Sequence, residues 1–74
     1  MIKDGVLPNG ARIRQLRQAR NWGQRDLAEA VCVSLRTIWN IEQGKPTRSQ
    51  NLKAIAKALG IDPLCLRAGV VSKE

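Results

Sequence analysis

Seventy-four residues make one domain at most, near the size at which a single core must be efficient to outweigh the conformational entropy lost on folding. Lysine and arginine number 13 against 6 acidic residues, a formal charge of +7 with no histidine, which favours a polyanionic partner, nucleic acid ahead of anionic membrane. No apolar run approaches the ~20 residues of a membrane span, and the first residues lack a signal-peptide pattern, so a cytoplasmic protein with no membrane partner is expected. Cys32 and Cys65 are too few for a disulfide framework, and without histidine no usual zinc ligand set can be assembled; both are expected as reduced, buried thiols, with no metal and no cofactor.

In chain order, residues 1–9, MIKDGVLPN, carry a glycine, a proline and no helical period, and read as an irregular arm. Residues 10–68 read as one helical domain and 69–74 as a C-terminal tail. The segment GARIRQLRQARN sets Ile13 and Leu16 on an inward stripe, with arginines at 12, 14, 17 and 20 on a face expected to be largely solvated. Asn21 suits the left-handed residue past a helix end. Trp22 follows as an apolar anchor before the second helix, in the manner of a hydrophobic staple.

The second pattern begins near Gln24, and its Leu27, Ala28 and Val31 share one side. A third begins after Ser34, a good N-cap residue. It carries Ile38 and Ile41 one turn apart and stops at Gly44. At ~100° per residue, Leu35, Trp39, Gln43, Arg36 and Asn40 fall within one sector, opposite the two isoleucines. The connection between these helices is too brief to let them lie side by side, which is the pattern of a helix-turn-helix. Thr47, with Gln50 three residues on, reads as a capping box opening a fourth helix, in which Leu52, Ile55, Ala56 and Leu59 fit i, i+3, i+4, i+7 and Lys53 and Lys57 face away. Gly60 ends it. Asp62-Pro63 then caps a short fifth helix through Leu64, Cys65 and Leu66, closing near Gly69. Val70 and Val71 have three places open to them: the core, a subunit contact, or a linker.

The outward face of the third helix suits DNA. Arg36 can donate two hydrogen bonds to guanine O6 and N7, and Asn40 can pair with adenine N6 and N7. Leu35 would be covered by thymine methyls or sugar edges in a major groove. Trp39 has three readings: packing along the sugar-phosphate backbone, contact with a second subunit, or simple exposure. No histidine, no isolated pair of acids, no glycine-rich phosphate loop and no base beside either cysteine points to an enzyme or a small-molecule substrate.

The run RIRQLRQARNWGQRDLAEAVCVSLRTIWNIEQGK, followed by L-x-x-I-A-K-A-L-G-I, resembles the lambda and Cro-type repressor family, also called the xenobiotic response element family, over about residues 10–66. The resemblance implies an all-α, five-helix lambda repressor-like domain with helices two and three as the helix-turn-helix. It places Leu35, Arg36 and Asn40 where base-reading side chains stand. Gln24 matches a glutamine that meets a phosphate and braces the third helix. Ser34 and Thr37 flank the reading residues. Gln43, Lys45 and Arg48 match backbone contacts, and Arg17 with Glu42 matches a structural pair between helices one and three.

Two positions depart from the family. Cys32 stands where glycine is common in a positive-φ turn, at a cost of ~1 kcal/mol if that geometry is kept. Gly23 replaces the usual serine or threonine cap, a loss of a few tenths of a kcal/mol. The resemblance further implies a homodimer formed around helix five, with Ile61, Leu64, Leu66, Val70 and Val71 as candidates. The expected function is a sequence-specific double-stranded DNA-binding transcriptional regulator, a repressor or controller protein reading palindromic half-sites. The alternative is a protein-interaction module, an adaptor or antitoxin-like partner docking through Leu35 and Trp39. RNA stands third, since the chain offers two Trp and no Phe or Tyr for stacking unpaired bases.

Overall fold

The apolar stripes at helical spacing form four α-helices: α1 (Gly10–Ala19), α2 (Gln24–Val31), α3 (Leu35–Glu42) and α4 (Ser49–Leu59). The computed structural model of the chain describes residues 5–70. Ile13, Leu27, Ile38, Ile41, Leu52, Ile55 and Leu66 are each less than 2% exposed and form the centre of the core. Leu16, Trp22, Val31, Val33 and Ile61 pack around them. Full burial of such side chains is worth about 1.5–3 kcal/mol each, so these few positions supply much of what holds a domain of this size together.

All four helices end in the same way. The residue after each last turn is left-handed, at Asn21 (φ 59°), Cys32 (φ 60°), Gly44 (φ 85°) and Gly60 (φ 72°). The next N–H donates back over the turn: Trp22 to Arg17 O (3.1 Å), Val33 to Ala28 O (3.0 Å), Lys45 to Asn40 O (3.1 Å) and Ile61 to Ala56 O (3.0 Å). This is the Schellman closure. Cys32 therefore keeps the geometry that glycine would hold more cheaply, at a penalty of about 1 kcal/mol.

The structure departs from five helices and an irregular arm. Three short strands, β1 (Gly5–Pro8), β2 (Thr47–Arg48) and β3 (Arg67–Val70), form an antiparallel sheet in the order β2-β1-β3. β1 pairs Gly5 with Arg48 and Val6 with Thr47 on one side, and Val6 with Val70, Leu7 with Gly69 and Pro8 with Arg67 on the other. The register slips between Leu7 and Pro8, where proline has no N–H to give the ladder. Val6 is 4% exposed and joins the core, which is why this part of the arm is ordered structure. Residues 1–4 of the expected arm, and Val71 with the rest of the expected tail, lie outside the described residues.

The expected fifth helix is a single 3-10 turn, Pro63–Leu66, capped by the Asp62 carboxylate accepting from Leu64 N–H at 2.9 Å. After it the chain extends as β3, so Gly69 and Val70 belong to the sheet and not to a tail. Thr47 does not cap α4. It lies buried in β2, where its hydroxyl accepts from Asn51 Nδ2 at 3.0 Å, and α4 starts two residues later behind Arg48 with no side-chain cap. Both cysteines, expected inside, are exposed.

Candidate nucleic-acid interface

Helix α3 has a closed side and an open one. It starts on Ser34, whose hydroxyl oxygen accepts from Thr37 N–H at 3.1 Å and lies 2.9 Å from the Thr37 hydroxyl. Ile38 and Ile41 enter the core. Glu42, 4% exposed, receives Arg17 Nε at 2.6 Å and Nη2 at 3.0 Å, and Gln24 Nε2 at 3.1 Å. Arg17 Nη1 also donates to Trp22 O at 2.8 Å. One carboxylate thus ties α1 and the start of α2 to the end of α3.

Burial alone would raise the Glu42 pKa, but the hydrogen bonds from Arg17 and Gln24 and the charges of Arg17 and Arg14 outweigh it and hold the carboxyl below its ordinary value. Donating to the Glu42 carboxylate raises the Arg17 pKa against its own desolvation. Gln24 retains a second amide N–H and its carbonyl oxygen beyond this brace.

On the open side, Leu35 and Trp39 are 44% and 42% exposed. With Arg36 and Gln24 they line an open groove of about 450 Å³. The Arg36 guanidinium lies 5.8 Å and the Lys45 ammonium 5.3 Å from the Trp39 ring centroid, within reach of cation–π attraction. Gln43, Lys45 and Arg48 are exposed. Thr37 and Asn40 are half-buried and face a second, smaller cleft shared with Thr47, Arg48 and Asn51. Arg48 is placed by its pairing with Gly5 and stands just ahead of the uncapped start of α4.

Asn40 differs from the bidentate adenine reader expected of it. Its Oδ1 is buried without a partner among the described residues, and flipping the amide merely exchanges which of the two amide atoms takes that buried place. A two-point contact to adenine therefore requires the side chain to turn. The candidate dimer residues also separate. Leu66 is 0% exposed and belongs to the core, so it is withdrawn as a subunit contact; the turn of Pro63–Leu66 aims it inward. Ile61 is half-buried against the core. Leu64 is 67% exposed. Val70 ends β3, and Val71 is outside the described residues.

Two residues that matter here gave no readable signal. Gly10 lies where α1 meets the end of α3: a Cβ there would overlap the Glu42 carbonyl oxygen and stand 2.6 Å from its carbonyl carbon. In the sequence it is only a weak helix former. Arg20, read as part of a solvated face, donates from Nη2 to Leu59 O at 2.7 Å and closes the end of α4 across 39 residues, where a cation also suits the helix dipole.

Among the described residues no helix is long and apolar enough to cross a membrane. The family described as helix-turn-helix domain matches residues 10–68. The chain is 42% identical over 59 residues to the HTH-type transcriptional regulator PrtR of Pseudomonas aeruginosa, covering 80% of this chain but spanning 23% of that protein's length. Among solved structures it is similar to the restriction-modification controller protein C.AhdI from Aeromonas hydrophila, with a TM-score of 0.67 and 32% identity over 74% of this chain and 85% of that one. With the motif, the fold around it and these likenesses agreeing, the chain belongs to the helix-turn-helix domain family of the lambda and Cro type.

Proposed function

We propose that the domain is a sequence-specific double-stranded DNA-binding regulator, a repressor or controller protein that lays α3 in the major groove of one half-site of a palindromic operator and works as a homodimer. The observation that carries this reading is the open face of α3: Arg36 and Lys45 stand beside an exposed indole and form no ion pair among the described residues, on a chain of charge +7. The likenesses to a transcriptional regulator and to a controller protein support it.

In this reading Arg36 donates to guanine O6 and N7, Leu35 lies against base edges, and Asn40 gives one hydrogen bond or turns to give two. Gln24, Ser34, Thr37, Gln43, Lys45 and Arg48 hold the backbone on either side, aided by the free N–H groups at the start of α4. A single domain covers one half-site, and a two-fold dimer places the second about 34 Å away. Leu64 is the exposed apolar residue available for that contact near the end of the domain.

Selection from random DNA is expected to return a two-fold-symmetric sequence. Recovery of no sequence preference at moderate salt overturns the proposal. A protein-interaction module remains the second reading because Leu35 and Trp39 are adjacent and half-exposed. It requires a complex that buries Trp39 and survives high salt, whereas phosphate contacts weaken steeply as salt rises.

A further inference from the structure

The groove beside Arg36 joins two chemistries that a run of phosphate contacts does not need. It is lined by the apolar side chains of Leu35 and Trp39 together with Arg36 and Gln24. Leu35 and Trp39 are one turn apart on α3, so the depression runs along the helix surface beside the residue assigned to guanine. Among the described residues nothing covers the outer part of these two side chains, which are 44% and 42% exposed, and that apolar surface gains stability only from an apolar group that displaces water. The cations against the indole narrow what that group can be. With Arg36 at 5.8 Å and Lys45 at 5.3 Å from the ring centroid, the occupant must be apolar itself yet belong to an anionic molecule.

We infer that this groove receives the C5-methyl group of a pyrimidine adjacent to the guanine read by Arg36, so that the domain distinguishes 5-methylated from unmethylated pyrimidines at that step. The inference rests on the DNA-reading function proposed above and names what that site recognises. A C5-methyl is the one apolar group that a base pair displays in the major groove. Thymine carries it by nature and 5-methylcytosine by modification, while uracil and cytosine lack it. Trp39 acts as a specificity residue in two ways: its ring forms one wall of the methyl site, and its face holds the guanidinium of Arg36 beside that site.

The test uses the full chain and the DNA site it selects. Each thymine is replaced singly by deoxyuridine, and cytosine is compared with 5-methylcytosine at the position next to the guanine. Loss of one methyl is expected to weaken binding about fourfold per half-site, the value of one buried methyl group at 298 K. 5-Methylcytosine is expected to recover about the same factor over cytosine. In the Trp39→Ala protein the methyl effect at that position should vanish while the melting temperature stays near that of the unaltered domain, so that the ratio of affinities for methylated and unmethylated sites, and not affinity itself, is the readout. Tolerance of uracil at every position by a protein that still selects a sequence overturns the methyl site alone. A methyl effect of unchanged size in both Trp39→Ala and Leu35→Ala does the same. A protein that selects no DNA sequence overturns the underlying function as well.

Discussion

The two sides of α3 are built on opposite terms. The inner side is interlocked: Ile38 and Ile41 fill the core, Glu42 collects hydrogen bonds from Arg17 and Gln24, and the backbone of Glu42 touches Gly10. The outer side is open: Leu35 and Trp39 are half-exposed, and the cations beside the indole lie against the ring face and form no ion pair among the described residues. A rigid back positions a front that is free to engage a partner, which is the arrangement by which an element both stays folded and contacts something else. Substitutions on the back should therefore register as stability and those on the front as binding.

The largest effect is expected from Arg17→Ala, which leaves the Glu42 carboxylate buried without its main partner. A loss of roughly 3 kcal/mol or more, read from chemical denaturation, follows from breaking such a pair by halves. Gly10→Ala comes next, at about 1–3 kcal/mol, the range for forcing an added methyl into a closed contact. Its sign is informative, because alanine is the better helix former by about 1 kcal/mol; a stabilised Gly10→Ala protein would show that α1 and α3 do not meet as closely as described.

Acid should act on the same side. The Glu42 pKa is depressed in the folded state, so its contribution is fully present above the unfolded carboxyl value of about 4.3 and is lost as pH falls through the lower folded value. A denaturation midpoint that declines below about pH 4.3 in the unaltered domain, and declines less in Glu42→Gln, is the expected pair of curves. Equal declines would assign the acid sensitivity to other carboxylates.

On the front, Arg36→Ala should cost about 1–3 kcal/mol of discrimination at one symmetric base position with an unchanged melting temperature. Lys45→Ala should weaken all sequences alike and flatten the dependence of log K on log salt by about one. The smallest effect is expected in the turn between α2 and α3. Cys32→Gly should stabilise the domain by about 1 kcal/mol or less, through relief of the left-handed turn, without moving the selected DNA sequence.

How much of this could be read in advance follows from the range over which each feature acts. The helices were legible because their stripes and ends are local: Ile38 and Ile41 mark one turn, Ser34 and Gly44 its limits, and Asn21 announces a left-handed closure. The sheet was not, because β1 is four residues containing a glycine and a proline, and β2 is two residues that it meets only across the intervening helices. Thr47 had the chemistry of a cap and was taken instead by the strand. Leu66 carried no sign of which way the 3-10 turn would aim it.

In the interface, the outward sector from Leu35 to Gln43 could be placed on a helical wheel. The pairing of Arg17 with Glu42 was reached through family resemblance, since nothing local links residues 25 positions apart. The orphaned oxygen of Asn40, the indole shared by Arg36 and Lys45, and the role of Gly10 depend on side-chain placement and on close approach between elements. No spacing rule encodes these.

The sheet also fixes how the domain answers a pull. β1 runs antiparallel to β3, and Val6 near the start of one lies opposite Val70 at the end of the other, so the two ends of the described chain emerge side by side. Tension applied through whatever joins Gly5 and Val70 would open the β1–β3 ladder one hydrogen bond at a time, as a zip, and not load its bonds together in shear. That seam is the part of the domain such tension reaches first, and because Val6 is also a core residue, its parting would be felt by the helices beneath.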